Sequence, residues 1–385
     1  MDRASQSRRN STIAEHLPAN DTGSTPAEYT YLPIERVHFG PGSISKLRNE
    51  LDRIGSNRPF LITGQSIANK TDLIARVEHA SGRKLAGVFS EIKQHAPTSG
   101  IKNAATAVKQ AIADSLISLG GGSPIDSTKI IVKELSEDFQ HLALPHVAVP
   151  TTLSAAEFSH IAGMTDEKLN RKTGFRDLRM APRLVFLDPN LTIQTPGWLW
   201  ASSGIRSLDH AVEAVYSPNH QPYVDTLALE AIRRLFKYLR VSTEDPSDLG
   251  SRLSCQLAAW MSFAGVFSVG MGLSHSIGRV IGATWNIPHG ITSCLTLSEV
   301  MRMEAKRNPG RLALIATAEG KNIEGIPVQK AALQAADGVS ELVQRLGLSK
   351  RLRDYKIKKD DLLKIAREVG APESAVALQI LERIW

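Results

Sequence analysis

Three histidines in the second half of the chain are the first residues whose type and spacing could do chemistry. The stretch GLSHSIGRVIGATWNIPHG (272–290) places His275 and His289 fourteen positions apart beside glycines, and GIRSLDHAVEAVY (204–216) adds His210. A lone histidine on an apolar helix is commonly a packed core residue, so each taken singly fits a helix interface as well as a site. Three in one half of the chain make a shared site the better reading. Neutral imidazoles suit zinc or iron, and three can hold a catalytic metal with one position open. They can equally polarise or protonate a substrate directly. Arg206 and His210 stand at i and i+4 on one helix face, and Asp209, at i+3 from Arg206, can pair with it.

A second set of residues suits an anion. SLISLGGGSPIDSTKIIVKEL (115–135) reads as a strand, three glycines and a helix. Ser123 fits an N-cap, Pro124 the first helical turn and Asp126 the capping-box position. Gly121 and Gly122 let backbone N–H groups approach a ligand, and the helix N-terminus behind them favours a pyrophosphate. A tight strand-to-helix turn would use the same glycines, and the run is not G-x-G-x-x-G. VPTTLSAAEFSH (149–160) brings Thr151, Thr152 and Ser154 to the carboxyl end of another strand, where parallel sheets bind ligands. Helix capping is the other use of such hydroxyls. Two polar strand ends together favour a nucleotide.

These residues need elements to position them. RPFLITG (58–64), KLAGVFS (84–90), DSLISLGGG (114–122), HVAVPTT (146–152) and RLVFLDP (183–189) read as strands, with helical stretches such as IKNAATAVKQAIA (101–113) between some of them. That alternation predicts an α/β domain with a parallel, doubly wound sheet over residues 29–189. From residue 190 the strand signal fades, and amphipathic runs at 224–240 and 331–348 predict an all-helical domain over 190–385 that completes the cleft. Trp198 and Trp200, in TPGWLWASSG, fit a pocket wall or the core. Residues 1–28 are polar, of mixed charge and without an apolar segment, and read as a disordered tail.

Composition excludes several classes. The chain has 385 residues, 42% hydrophobic and 22% charged, as soluble globular proteins do. No apolar run reaches the roughly 18 to 20 residues that span a bilayer, so no membrane partner is expected. The net charge of +7 is dispersed, and the densest basic stretch, KRLRDYKIKKDD (350–361), interleaves acids, which argues against nucleic acid. The two cysteines, Cys255 and Cys294, make no disulfide framework, which fits a reducing cytoplasm.

Taken together, ERVHFGPGSISKL (35–47), GGGSPID, VPTT, RLVFLDPNLT (183–192), GIRSLDHAVEA and GLSHSIGRVIGATWNIPHG resemble the iron-containing alcohol dehydrogenase family in content and order. That family includes maleylacetate reductases and is related in fold to glycerol dehydrogenase and dehydroquinate synthase. The resemblance implies a cytoplasmic homodimer that acts on a small-molecule substrate with NAD or NADP. It assigns the cofactor to Gly121, Gly122, Ser123, Asp126, Thr151, Thr152, Ser154 and Lys172. An Asp after the second strand would favour NAD by repelling a 2′-phosphate; Gly64 stands at about that position, so NADP is permitted.

Two positions depart from the family. Its metal is held by one Asp and three His; His210, His275 and His289 match the histidines, but Arg206 occupies the Asp position. Arginine cannot coordinate. At an effective dielectric of about 20, a guanidinium about 4 Å from a divalent ion is repelled by about 8 kcal/mol. Iron is therefore not expected, and a three-histidine zinc site would need Arg206 drawn away by Asp209. Maleylacetate reductases also lack that Asp. Ten residues before His289, where the alcohol dehydrogenases carry a proton-relaying His that the maleylacetate reductases typically retain, this chain has Arg279, so the resemblance does not assign maleylacetate itself. The resulting expectation is a metal-independent NAD(P)H-dependent reductase of a carbonyl or activated alkene, with His210, His275 and His289 facing substrate and Arg206 and Arg279 holding an anionic oxygen. The competing expectations are a metal-dependent dehydrogenase with a three-histidine site, a non-redox lyase or cyclase on the same fold, and a nucleotide-binding protein without chemistry.

Overall fold

The computed structural model describes residues 28–138, 143–167 and 171–385; the expected tail, apart from Glu28, lies outside the described residues. Six strands form one parallel sheet: β1 (Arg36–Phe39), β2 (Pro59–Ile62), β3 (Gly87–Phe89), β4 (Ser115–Gly120), β5 (His146–Pro150) and, after a hairpin of β6 (Ile161–Asp166) and β7 (Arg171–Arg176), β8 (Leu184–Leu187). Their spatial order is β1-β8-β5-β4-β2-β3. β2, β4, β5 and β8 are buried at every position, as strands covered on both faces must be.

Helices α1 (Leu47–Arg53), α2 (Gln65–Lys70) and α3 (Leu73–Ser81) follow on one face, where Leu47, Leu51 and Val77 pack on Ile117 and Phe186. Helices α4 (Thr98–Gln110) and α5 (Gly122–Asp138) cover the other, through Ile101, Val108 and Ile131 on Leu116. β2 therefore sends its chain to one face and its neighbour β4 to the other. The crevice between their carboxyl ends is the switch point at which such sheets take ligands.

Beyond the sheet the chain is helical: α6 (Gly197–Tyr216), α7 (Pro222–Glu244), α8 (Leu249–Phe263), α9 (Val266–Val269), α10 (Leu273–Trp285), α11 (His289–Glu304), α12 (Pro309–Ala318), α13 (Val328–Arg345), α14 (Asp361–Val369) and α15 (Ser374–Ile384). Proline opens α7 and α12, where its missing N–H costs no hydrogen bond. α6 is the central helix. From Trp200 to Tyr216 it is buried at every position except Arg206. Gly204 permits this packing, since a Cβ there would lie 2.4 Å from Leu239 Cδ1.

The apolar core is continuous across the two halves: Ala148, Leu153, Val185 and Leu187 of the sheet region join Ile205, Leu208 and Val212 of α6. The chain also passes between them twice. Tyr29 is anchored on the helical side, its hydroxyl donating to Ala264 O (2.5 Å) and its ring edge-on to Tyr223, before the chain enters β1. It returns after β8, which pairs with β1.

Three local differences from the sequence reading stand out. α5 begins at Gly122, so Ser123 lies inside its first turn instead of capping it. The β6–β7 hairpin had no strong sequence signal. Trp200 is fully buried, with Nε1 donating to Ser242 Oγ (3.0 Å), whereas Trp198 is exposed.

Candidate active site

The glycine loop and the threonine-rich strand end meet. β4 leaves the sheet through Gly120 in the left-handed region (φ 139°). A Cβ on Gly121 would lie 3.1 Å from Thr152 Cγ2, and one on Gly122 would lie 3.5 Å from Ser154 Oγ. A side chain at Gly121 would press on Thr152, whereas one at Gly122 would stand in ordinary contact with Ser154. Thr151 and Thr152 are buried, and Thr152 Oγ1 has no protein partner, an enclosed polar atom placed for a ligand. At the neighbouring strand end, Thr63 Oγ1 donates to Leu119 O (2.7 Å) and Gly64 opens α2. A Cβ on Gly64 would stand 3.0 Å from Ile92 O, so this glycine also meets a steric demand.

Asp126 is engaged by Lys129 Nζ at 3.2 Å, and the fully enclosed Lys129 also donates to Ile161 O (3.0 Å), tying α5 to β6. Burial pushes the nearby Glu157 carboxyl up to about 7. Neither Lys129 nor Glu157 was singled out from sequence; the i+3 spacing of Lys129 from Asp126 is the available signal. Lys172 lies on β7 opposite Thr165 in the hairpin.

This strand end is clamped to α6. Ser203 Oγ accepts from Leu153 N (3.0 Å), and Ser207 Oγ donates to Leu153 O (2.5 Å). One turn further, α6 and α10 enclose a charged cluster. His275 Nδ1 lies 2.6 Å from Glu213 Oε2, where the imidazole donates to the ionised carboxylate, and 3.5 Å from Asp209 Oδ2. With Nδ1 engaged, Nε2, which has no protein partner, is the ring's open atom. The His210 ring lies 4.8 Å from that of His275, centroid to centroid. Burial first, then charged neighbours, hold His275 down to about 3 and His210 well below the usual imidazole range, so both are neutral.

Glu213 accepts from Gly272 N (2.6 Å) and Ser274 N (2.7 Å); burial pushes its carboxyl up to about 7 against those donors. Asp209 Oδ2 accepts from Ser274 Oγ (3.0 Å) and Ser293 Oγ (2.5 Å). Arg206 Nη1 donates to Ser293 Oγ (3.1 Å) and lies 3.5 Å from Asp209 Oδ2, the pairing anticipated from their spacing. His289 is the first residue of α11, and its ring meets His95 of the sheet-bearing half edge-on, with centroids 5.5 Å apart. Arg279 stands exposed on α10, one turn beyond His275.

Asp209, Glu213 and His275 have donor atoms within 4.8 Å of one another, close enough in principle to share a metal. The hydrogen bonds tell against it. Both Glu213 oxygens accept N–H groups and Asp209 Oδ2 accepts two hydroxyls, which leaves Asp209 Oδ1 and His275 Nε2. Arg206 adds a fixed positive charge beside them. This donor set does not fit a divalent cation.

A crevice at the sheet's switch point, holding an unpartnered threonine hydroxyl, is thus clamped directly to an enclosed imidazole–carboxylate cluster. Residues 34–189 match the iron-containing alcohol dehydrogenase model, and residues 200–378 match the C-terminal model of the Fe-containing alcohol dehydrogenase family. The chain belongs to that family. It is 33% identical to maleylacetate reductase 2 of Cupriavidus pinatubonensis over 74% of this chain and 76% of that one. It is 28% identical to the maleylacetate reductase of Sphingobium indicum over 88% and 90% of the two chains. The crystal structure of maleylacetate reductase from Agrobacterium tumefaciens superposes with a TM-score of 0.81 at 27% identity, covering 94% of this chain and 98% of that one. The fold is dehydroquinate synthase-like, and the protein is an NAD(P)H-dependent oxidoreductase of carbonyl or alkene substrates.

Proposed function

We propose that the protein is a metal-independent reductase of an anionic, unsaturated oxo acid of the maleylacetate kind. The observation that carries the reading is Arg206: the one unburied position in the core of α6 presents a guanidinium where its charge can meet a substrate carboxylate or enolate oxygen. The relatives' activity and the hydrogen-bonded state of Asp209 and Glu213 support it.

In this reading the part spanning 29–189 binds the cofactor and 190–385 supplies the substrate wall. Gly121, Gly122, Ser123, Thr151, Thr152 and Ser154 receive the pyrophosphate, with Asp126 and Lys172 beside them. With Gly64 at the ribose end in place of a carboxylate, a 2′-phosphate is accommodated, so NADPH serves at least as well as NADH. When bound, the nicotinamide supplies hydride. Arg206 and Arg279 hold the substrate's charged groups, and His275, oriented by Glu213, offers Nε2 to its oxygen.

The test is oxidation of NADPH and of NADH with maleylacetate after dialysis against a chelator, alongside metal analysis. Full activity without stoichiometric iron or zinc is expected. One metal per chain, with activity lost on chelation and regained with zinc or iron, would make His210, His275 and His289 ligands instead.

A further inference from the structure

The β6–β7 hairpin meets the helical half at one aromatic ring. Phe267, on α9, packs against the His160 ring at 4.3 Å between centroids, and the Arg176 guanidinium lies over it at 5.8 Å. Those two side chains are neighbours on the hairpin. Arg176 stands opposite Ile161 in the register, and Asp177 N donates to His160 O (3.1 Å). Phe267 is in turn edge-on to Phe263 (5.4 Å), and Phe263 is edge-on to His210 (4.7 Å), one turn along α6 from Arg206. An aromatic wall therefore runs from the enclosed cluster to the hairpin, with a guanidinium near each end.

Arg176 is exposed, and its charge is uncompensated. Among the described residues no carboxylate pairs with its guanidinium, and the adjacent Asp177 carboxylate is taken by Arg179 at 2.5 Å. His160 is buried, and its Nδ1 has no protein partner, an enclosed polar atom beside the same ring. Burial first, then the Arg176 charge, holds His160 below the usual imidazole range.

We propose that Arg176 is a specificity-determining residue: it takes the carboxylate at the end of a dicarboxylate substrate remote from Arg206, an assignment that rests on the reductase reading above. A guanidinium presents a planar fork that fits a carboxylate through two parallel N–H···O bonds. Phe263 and Phe267 give the flat, unsaturated chain between the two charged ends an apolar wall to lie on. A cofactor phosphate is the competing anion, and the geometry tells against it. The residues assigned to phosphate, from Gly121 to Ser154, sit at the ends of β4 and β5, whereas Arg176 lies against a ring of the helical half.

The test compares maleylacetate with acetylacrylate, which keeps the enone and one carboxylate and lacks the other. kcat/KM is measured for each at saturating NADPH, so that any change in cofactor binding cancels from their ratio. NADPH affinity is measured separately by calorimetry. Wild type should favour maleylacetate. Arg176→Met, which keeps an apolar stem against Phe267, should cut that preference by about tenfold to a hundredfold, chiefly through KM for maleylacetate. Arg176→Lys, with the charge but not the fork, should fall between, and both variants should bind NADPH as wild type does. An unchanged preference in Arg176→Met overturns the assignment, and a loss of NADPH affinity alongside it would give the guanidinium to a cofactor phosphate. A wild-type protein that reduces both acids equally well overturns this subsite and leaves the reductase reading standing. One that binds NADPH and reduces neither acid overturns both.

Discussion

At Arg206 a single side chain sets the charge of an enclosed site. It stands 3.5 Å from Asp209, and both it and His210 lie on the α6 face that also carries Glu213. Arg206→Asp should leave the new carboxylate, Asp209 and Glu213 together without a cation. The variant should lose about 3–5 kcal/mol in urea denaturation under chelation, regain much of it with zinc, and lose native turnover. A variant as stable as wild type in chelator would show that Arg206 does not balance the cluster. This face was legible in sequence because helical spacing is rigid: Arg206, Asp209 and His210 fall at i, i+3 and i+4. Glu213 continues the same face and could have been found by extending it one turn. His95 could not. It sits in an irregular loop with no period, and its partner lies in the other half of the chain.

At the scale of elements, the junction of β2 with α2 places Gly64, the residue proposed to permit NADP, against Ile92 O of the loop that leads to His95. Gly64→Asp should move preference from NADPH toward NADH by about tenfold, about 1.4 kcal/mol, while its Cβ displaces Ile92 O on the loop that carries His95. We therefore expect kcat to fall with both cofactors. Gly64→Ala, which adds the Cβ without the charge, should reproduce the fall in kcat but not the change of preference. If both variants keep wild-type kcat, the loop does not connect the two regions. Five strands of the sheet were legible because each is a short apolar run ended by Gly, Pro, Ser or Thr. β1 is four residues at a sheet edge, partly exposed, and gives little contrast. The β6–β7 hairpin carries Gly, Thr and charged residues in place of an apolar alternation, and its contacts with α5 and the His95 loop are tertiary.

The whole molecule buries ionisable groups of both signs, and stability should follow pH accordingly. His146 and His275 are held down to about 3 from 6.5, so across that interval the folded protein binds fewer protons there and gains stability as pH rises. Glu157 and Glu213 are pushed up to about 7, and Glu319 to about 9, from 4.5. These carboxyls contribute stability that is fully present below 4.5 and lost as pH rises through the folded values. Above pH 7 Glu157 and Glu213 shed the last of their protons, and from about pH 8 only Glu319 of this set still titrates. Its side chain is fully enclosed between α12 and α13, 3.4 Å from Lys321 Nζ. The melting temperature should peak in mild acid and decline from pH 7 to 9, and Glu319→Gln should flatten that decline. A wild-type melting temperature that holds or rises over this range would refute the assignment.

The two passages of the chain between the halves have a mechanical consequence. They leave the sheet side by side, because β1, entered from Tyr29, is the neighbour of β8. The seam they cross is filled by the continuous apolar core and bolted where Leu153 meets Ser203 and Ser207. Threaded twice and bolted between the threads, the two halves form one block, and the crevice is a notch cut into it.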